Sequence, residues 1–266
     1  VNTTANPALL ATFNELEKEL RIRWSYKFSI VVESVMMVAI FLGITFFMTE
    51  GDLQSERLAP ALVGYVIWFY ALIAIGKMSW GLREETQTGT LEQMYMSSLP
   101  IWLLLIGRTL ATLLITTLEV MVAFLPLVLL LGIRLPWTWE VMPLAALTLA
   151  GLYGFGYIVG GATLVFKQVE SLANLLQNLL LFLNGALLPV DRLPPAVEAF
   201  ALMLPSTWGI IALRQAMFEG ATLTTLWQNG VLPHLLVNTL FYFVGGLVIY
   251  HACETYARRR GLLGQY

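Results

Sequence analysis

The chain has 266 residues, of which 58% are hydrophobic and only 12% charged, with a net charge of −2. An ordinary soluble domain is about 25% charged, and the mean hydropathy here is +0.74. This composition excludes a soluble enzyme, a disordered chain and a nucleic-acid binder, and makes a bilayer the solvent. A single cysteine, Cys253, excludes an internal disulfide framework and a multi-cysteine metal site.

The expected fold is an all-α membrane protein. Residues 1–28 are polar and charged with no early apolar core, so no cleavable signal is expected there. Within them, residues 12–28 predict an amphipathic helix lying on the membrane face. Thr12 and Glu15 have capping-box spacing, and Phe13, Leu16, Leu20 and Trp24 fall on one stripe. Glu17/Arg21 and Glu19/Arg23 are helix-supporting pairs four apart. Trp24 and Tyr26 stand where aromatic anchors belong. The helix either only positions the first span or takes part in gating.

About 20 helical residues cross a hydrocarbon core of about 30 Å. Runs poor in charge then predict six spans, at residues 29–48, 59–77, 109–131, 144–166, 171–189 and 232–252. The apolar run 199–213 is shorter, contains Pro205 and follows Pro194 and Pro195, so it reads as a re-entrant element rather than a seventh span. Pro195 starts one short helix there; Pro205 and Ser206, a candidate cap, start another that ends near Gly220. Lys and Arg set the orientation. With both termini inside, Lys18, Arg21, Arg23, Lys27, Lys77, Arg83, Arg108, Lys167, Arg258, Arg259 and Arg260 are cytoplasmic, against Arg57, Arg134, Arg192 and Arg214 outside. The chain thus divides into a cytoplasmic N-terminal segment (1–28), a six-span domain (29–252) and a basic C-terminal tail (253–266).

The loop between spans two and three is the most informative. Gly89 is expected to break the helix that continues from span two. Thr90 and Gln93 form a second capping box, and Leu91, Met94 and Tyr95 give the next helix a small apolar face. Such a helix either docks into another protein's groove or lies on the bilayer surface.

Ionisable and amide residues inside spans are functional candidates. Glu33 sits about a turn inside the first span, either reaching back to the interface or serving the path. Glu119 shares a face of the third span with Arg108, Thr112 and Thr116 and reads as a buried structural acid, with a substrate contact as the alternative. Asn174, Gln177, Asn178 and Asn184, with Leu181 between them, form one polar stripe on span five. Interhelical amides hold helices together at about 0.6–2 kcal/mol each, so the stripe is expected to line a translocation path or seal a dimer. Gly156 and Gly160 form a small-xxx-small packing pair. His234 and His251 lack metal-ligand spacing.

The stretch Glu84, Glu85, Thr86, Gln87, Thr88, Gly89, Thr90, Leu91, Glu92, Gln93, followed by Ser98, Leu99 and Pro100, resembles the signature of type-2 ATP-binding-cassette (ABC) exporter permeases. The Gly107-Arg108 pair before span three is similar to their pattern too. So are the Pro-bearing turn at 188–194, with Pro189 and Pro194, and the element Pro205, Ser206, Thr207, Trp208 continued by Arg214 and Gly220. The resemblance implies a permease subunit that pairs with a second one, as a homodimer or heterodimer, above two ABC ATPase subunits. ATP and Mg would sit on those partners, and no cofactor on this chain. It also implies that the helix after Gly89 carries nucleotide-driven closure to the spans, and that the first and fifth spans border the path. The cargo expected is an amphiphile: a drug, a lipid or a lipid-linked glycan. The location implied is a cell membrane, the cytoplasmic membrane of a prokaryote. No Walker A spacing occurs in the chain. A stand-alone transporter or channel driven through Glu33 and Glu119 is the competing reading. An intramembrane enzyme has no supporting HExxH or GxSxG motif.

Overall fold

The computed structural model describes residues 13, 16–17, 20–21, 25, 27–51, 55–89, 101–166 and 169–261. Among them the chain is helical and contains no strand. Five helices are long and apolar enough to cross a membrane. The long ones are α1 (Lys27–Met48), α2 (Ser55–Gly76), α4 (Ile101–Leu131) and α5 (Val141–Val165), and α10 (Val231–Arg259) closes the order. Short helices lie between: α3 (Leu82–Thr88), α6 (Glu170–Leu183), α7 (Pro195–Ala201), α8 (Thr207–Phe218) and α9 (Leu223–Gln228).

The main departure from the six expected spans is at 171–189. The helix α6 has 14 residues, about 21 Å at about 1.5 Å per residue, and residues 184–188 leave the helical path. The cause is local chemistry. Asn184 Oδ1 accepts the backbone N–H of Ala186 at 2.9 Å, an Asx-type turn, and Gly185 takes φ +83°, which favours glycine. Buried there, Asn184 also donates from Nδ2 to Ser206 Oγ at 2.9 Å. Ser206 was expected to cap α8; its side chain makes no cap bond and instead accepts from Asn184.

Span two runs further than expected. Below Gly76 it widens into one π turn, Lys77–Gly81, and continues as α3 to Thr88. The break falls at Gly89, in the left-handed region at φ +73°. The last helix likewise runs on to Arg259, and Glu254 within it is 4% exposed and held by Arg258 at 2.8 Å.

Apolar packing and close backbone approach hold the bundle. Helices α5 and α10 meet at Gly154 and Gly246, where a Cβ on Gly246 would lie 2.0 Å from the Gly154 carbonyl oxygen. Only two glycines let the backbones come this near. Gly156 and Gly160 pack against Ala74 of α2 and Met78 of the π turn, as small-xxx-small spacing predicts. An aromatic cluster joins α1, α2 and α4: Phe41, Tyr65 and Phe124 lie with ring centroids 5.3–5.9 Å apart. Such pairs add about 0.5–1.5 kcal/mol beyond their buried area.

Of the N-terminal amphipathic segment, the described positions 13, 16, 17, 20, 21 and 25 are helical. Arg21 pairs with Glu17 at 2.6 Å, as the spacing predicts. Thr12, Glu15, Glu19, Arg23, Trp24 and Tyr26 lie outside the described residues.

Candidate functional site

Three places in the bundle gather the polar side chains. The first is a groove of about 270 Å³ between α1, α2 and α4. Glu33 and Glu119 both line it, with Met36, Met37, Tyr65 and Trp68 among its walls. Thus the two intramembrane acids, 86 positions apart by number, share one cavity. Glu33 accepts from Ser29 Oγ at 2.9 Å, one helical turn back. Thr112 and Thr116, on the face of α4 that carries Glu119, are buried, so that face points into the bundle, with Glu119 itself partly buried. The groove wall is anchored to α6: Trp68 Nε1 donates to the Gln177 carbonyl at 2.8 Å, and Gln177 Nε2 donates to the Leu72 carbonyl at 3.2 Å.

This pairing splits the amide stripe of α6. Gln177 and Leu181 are buried, as is Asn184 just beyond the helix end, whereas Asn174 and Asn178 are exposed. The buried amides hold α6 and its turn to α2 and to the start of α8. The exposed ones share an open face with Leu175 and Phe182. One helical stripe therefore does two separate things, because α2 covers only one flank of it.

The second place is the end of the bundle where α3 and the start of α6 meet. Arg83 Nη1 donates to Glu170 Oε1 at 2.6 Å. Glu170 occupies the first turn of α6, where a carboxylate also complements the helix dipole. Thr86 and Thr88 bond back to the Leu82 and Glu84 carbonyls, so α3 satisfies its own hydroxyls. Glu84 is exposed; nothing is described of the Glu85 side chain. Thr90, Leu91, Glu92, Gln93, Met94 and Tyr95 lie outside the described residues.

The third place is at the opposite end, where α1 finishes and α2 begins. Arg214 on α8 donates from Nε to the Pro60 carbonyl and from Nη2 to the Ala186 carbonyl, both at 2.9 Å. Burial pulls its pKa down to about 10, which leaves it charged at neutral pH. Gly64 makes the junction possible: a Cβ there would lie 2.5 Å from the Ala186 oxygen and 2.8 Å from Arg214 Nη2. The junction borders a cavity of about 900 Å³ that Pro189 also lines. Pro194 is the N-cap of α7. Trp208 faces another direction, stacked on His234 with centroids 4.4 Å apart. Neither Gly64 nor Ala186 carries a signal that sequence reading could have used, since both are ordinary small residues in apolar runs.

Polar side chains thus gather in a groove between α1, α2 and α4 and at both ends of the bundle. Residues 11–218 match the model of the ABC-2 type transporter family. The chain belongs to the ABC-2 type transporter family. A search of curated proteins found no match. The ABC-2 membrane domain is a multi-pass permease that carries no ATPase site of its own and works with an ABC ATPase subunit. The sequence resemblance and the membrane location are thereby borne out.

Proposed function

We propose that this permease exports an amphiphile, drawing it from the inner leaflet or cytoplasm and releasing it outward, with a paired permease subunit and two ABC ATPase subunits. The observation that carries this reading is the groove between α1, α2 and α4. Its apolar and aromatic walls suit a hydrophobic body, and the carboxylates of Glu33 and Glu119 suit a polar or cationic end. A ligand reaching such a groove between membrane-spanning helices comes from the bilayer.

Both termini are cytoplasmic in this reading, and α6 with the turn at 184–189 serves as a shortened fifth crossing. The excess of Lys and Arg at the Arg83 and Arg258 end supports it. Glu84, Glu85, Thr88 and Gly89 then lead into the coupling segment Thr90, Leu91, Glu92, Gln93, Met94 and Tyr95, which receives the push of the closing ATPase dimer. The π turn is a wide, weakly bonded turn of the kind found at functional bends, and Arg83–Glu170 passes movement of α3 to α6. Asn174 and Asn178 face the path or the paired subunit.

A second reading, ion-coupled transport without an ATPase, is favoured by the shared cavity of Glu33 and Glu119. Reconstitution separates the two. A fluorescent phosphatidylethanolamine analogue should move across proteoliposomes holding the permease and its ATPase when ATP is added. Movement driven by a proton gradient with the permease alone would establish the second reading.

A further inference from the structure

The cavity of about 900 Å³ under the re-entrant helices has a charge pattern that the export reading leaves unexplained. Arg57, Arg192 and Arg214 line it together with Asp191, Glu198 and Glu219. Its volume is that of a small-molecule pocket, about 300–1,000 Å³. Arg214 is the least exposed of the three arginines. Its Nε and Nη2 are committed to two backbone carbonyls, and among the described residues it forms no ion pair with a carboxylate. A half-buried guanidinium whose protein hydrogen-bond partners are neutral carbonyls carries a charge that an anion in the cavity would offset. Nη1 has no protein hydrogen bond among the described residues, so its two N–H groups remain for that anion. Arg192 lies exposed in the turn between α6 and α7, so a second guanidinium is within the same chamber. Guanidinium groups match phosphate oxygens through paired N–H donors.

The three acids decide the class further. Three arginines and three carboxylates give the lining no net charge, which disfavours a ligand of large negative charge and suits one that carries its own ammonium. We infer that this cavity binds a zwitterionic phosphodiester head group, its phosphate on Arg214 and Arg192 and its ammonium toward Asp191, Glu198 or Glu219. The inference rests on the proposed orientation only for placing the site at the outer face, where an exported or resident phospholipid would present its head.

Binding is tested apart from transport, so the failure of one is distinguishable from that of the other. The intact permease–ATPase complex, stripped of lipid in detergent, is titrated with dihexanoyl-phosphatidylethanolamine by isothermal calorimetry. Saturable binding is expected, weakened at least five-fold by Arg192→Gln, an exposed position that leaves the fold intact. Arg214→Lys keeps the charge but loses the fork, and should weaken binding by a similar factor; because it also loses the bonds to the Pro60 and Ala186 carbonyls, binding is read below its lowered thermal midpoint. Competition with glycerophosphoethanolamine identifies the source: competition assigns the head group alone as ligand, and its absence assigns the whole lipid. Equal binding of dihexanoyl-phosphatidylglycerol, or unchanged binding in both arginine variants, would overturn the inference.

Discussion

Arg83 Nη1 lies 2.6 Å from Glu170 Oε1 and ties α3, 87 positions earlier in the chain, to the first turn of α6. Arg83 is the second residue after the π turn, and Glu170 begins the helix whose flank carries both the buried and the open amides. The charged contact thus joins α3 directly to α6.

This contact predicts a loss of transmission rather than of stability. Half-exposed ion pairs contribute about 0.2–1 kcal/mol, so Arg83→Ala should leave the melting temperature nearly unchanged. ATP hydrolysis by the complex should persist while transport falls several-fold. The exchange Arg83→Glu with Glu170→Arg should restore much of the transport. A drop in hydrolysis equal to the drop in transport would show that the pair serves assembly instead.

Gly64 sets a steric limit on the junction of α2, Ala186 and Arg214. In Gly64→Ala the Cβ would press on the Ala186 backbone at 2.5 Å, and backbone has little room to give. Overpacking of this kind costs about 1–3 kcal/mol, to be read as a lowered thermal midpoint in detergent. Gly245→Ala is the control, because nothing lies within 4 Å of its added Cβ. Equal loss in both variants would refute the junction's steric origin.

The divided stripe predicts two different phenotypes from similar substitutions. Asn184→Leu removes a buried amide that donates to Ser206 and accepts from Ala186, leaving those partners unsatisfied at about 1–3 kcal/mol each. Its signature is a less stable protein. Asn178→Leu alters an exposed side chain whose one described bond is to the Asn174 carbonyl in its own helix. Its signature is changed transport or dimer affinity at unchanged monomer stability, measured by flux and by sedimentation. Identical stability losses would put both amides in one structural role.

Much of the bundle was legible from charge placement. Charge-poor runs located α1, α2, α4, α5 and α10, because lipid excludes charge and rewards continuous helix. The early end of α6 was not legible. Residues 171–189 contain no charge, yet Asn184 ends the helix by bonding to its own chain and to Ser206, which is 22 positions away. Helical spacing correctly put Gln177 and Asn178 side by side on α6. It could not show that α2, through Trp68 and Leu72, would cover Gln177 and leave Asn178 open. Arg214 was marked by its motif, but its partners, the Pro60 and Ala186 carbonyls, exist only once three separate segments meet.

In the proposed mechanism a partner's ATP hydrolysis drives this permease through the segment after Gly89. Gly89 adopts φ +73°, which proline with φ near −65° cannot adopt. The decisive measurement is the number of fluorescent phosphatidylethanolamine analogues moved per ATP hydrolysed in proteoliposomes of the full complex, for wild type, Gly89→Pro and Glu92→Ala. Hydrolysis is expected to continue in both variants while that ratio falls at least ten-fold. A wild-type ratio in both variants would contradict that mechanism.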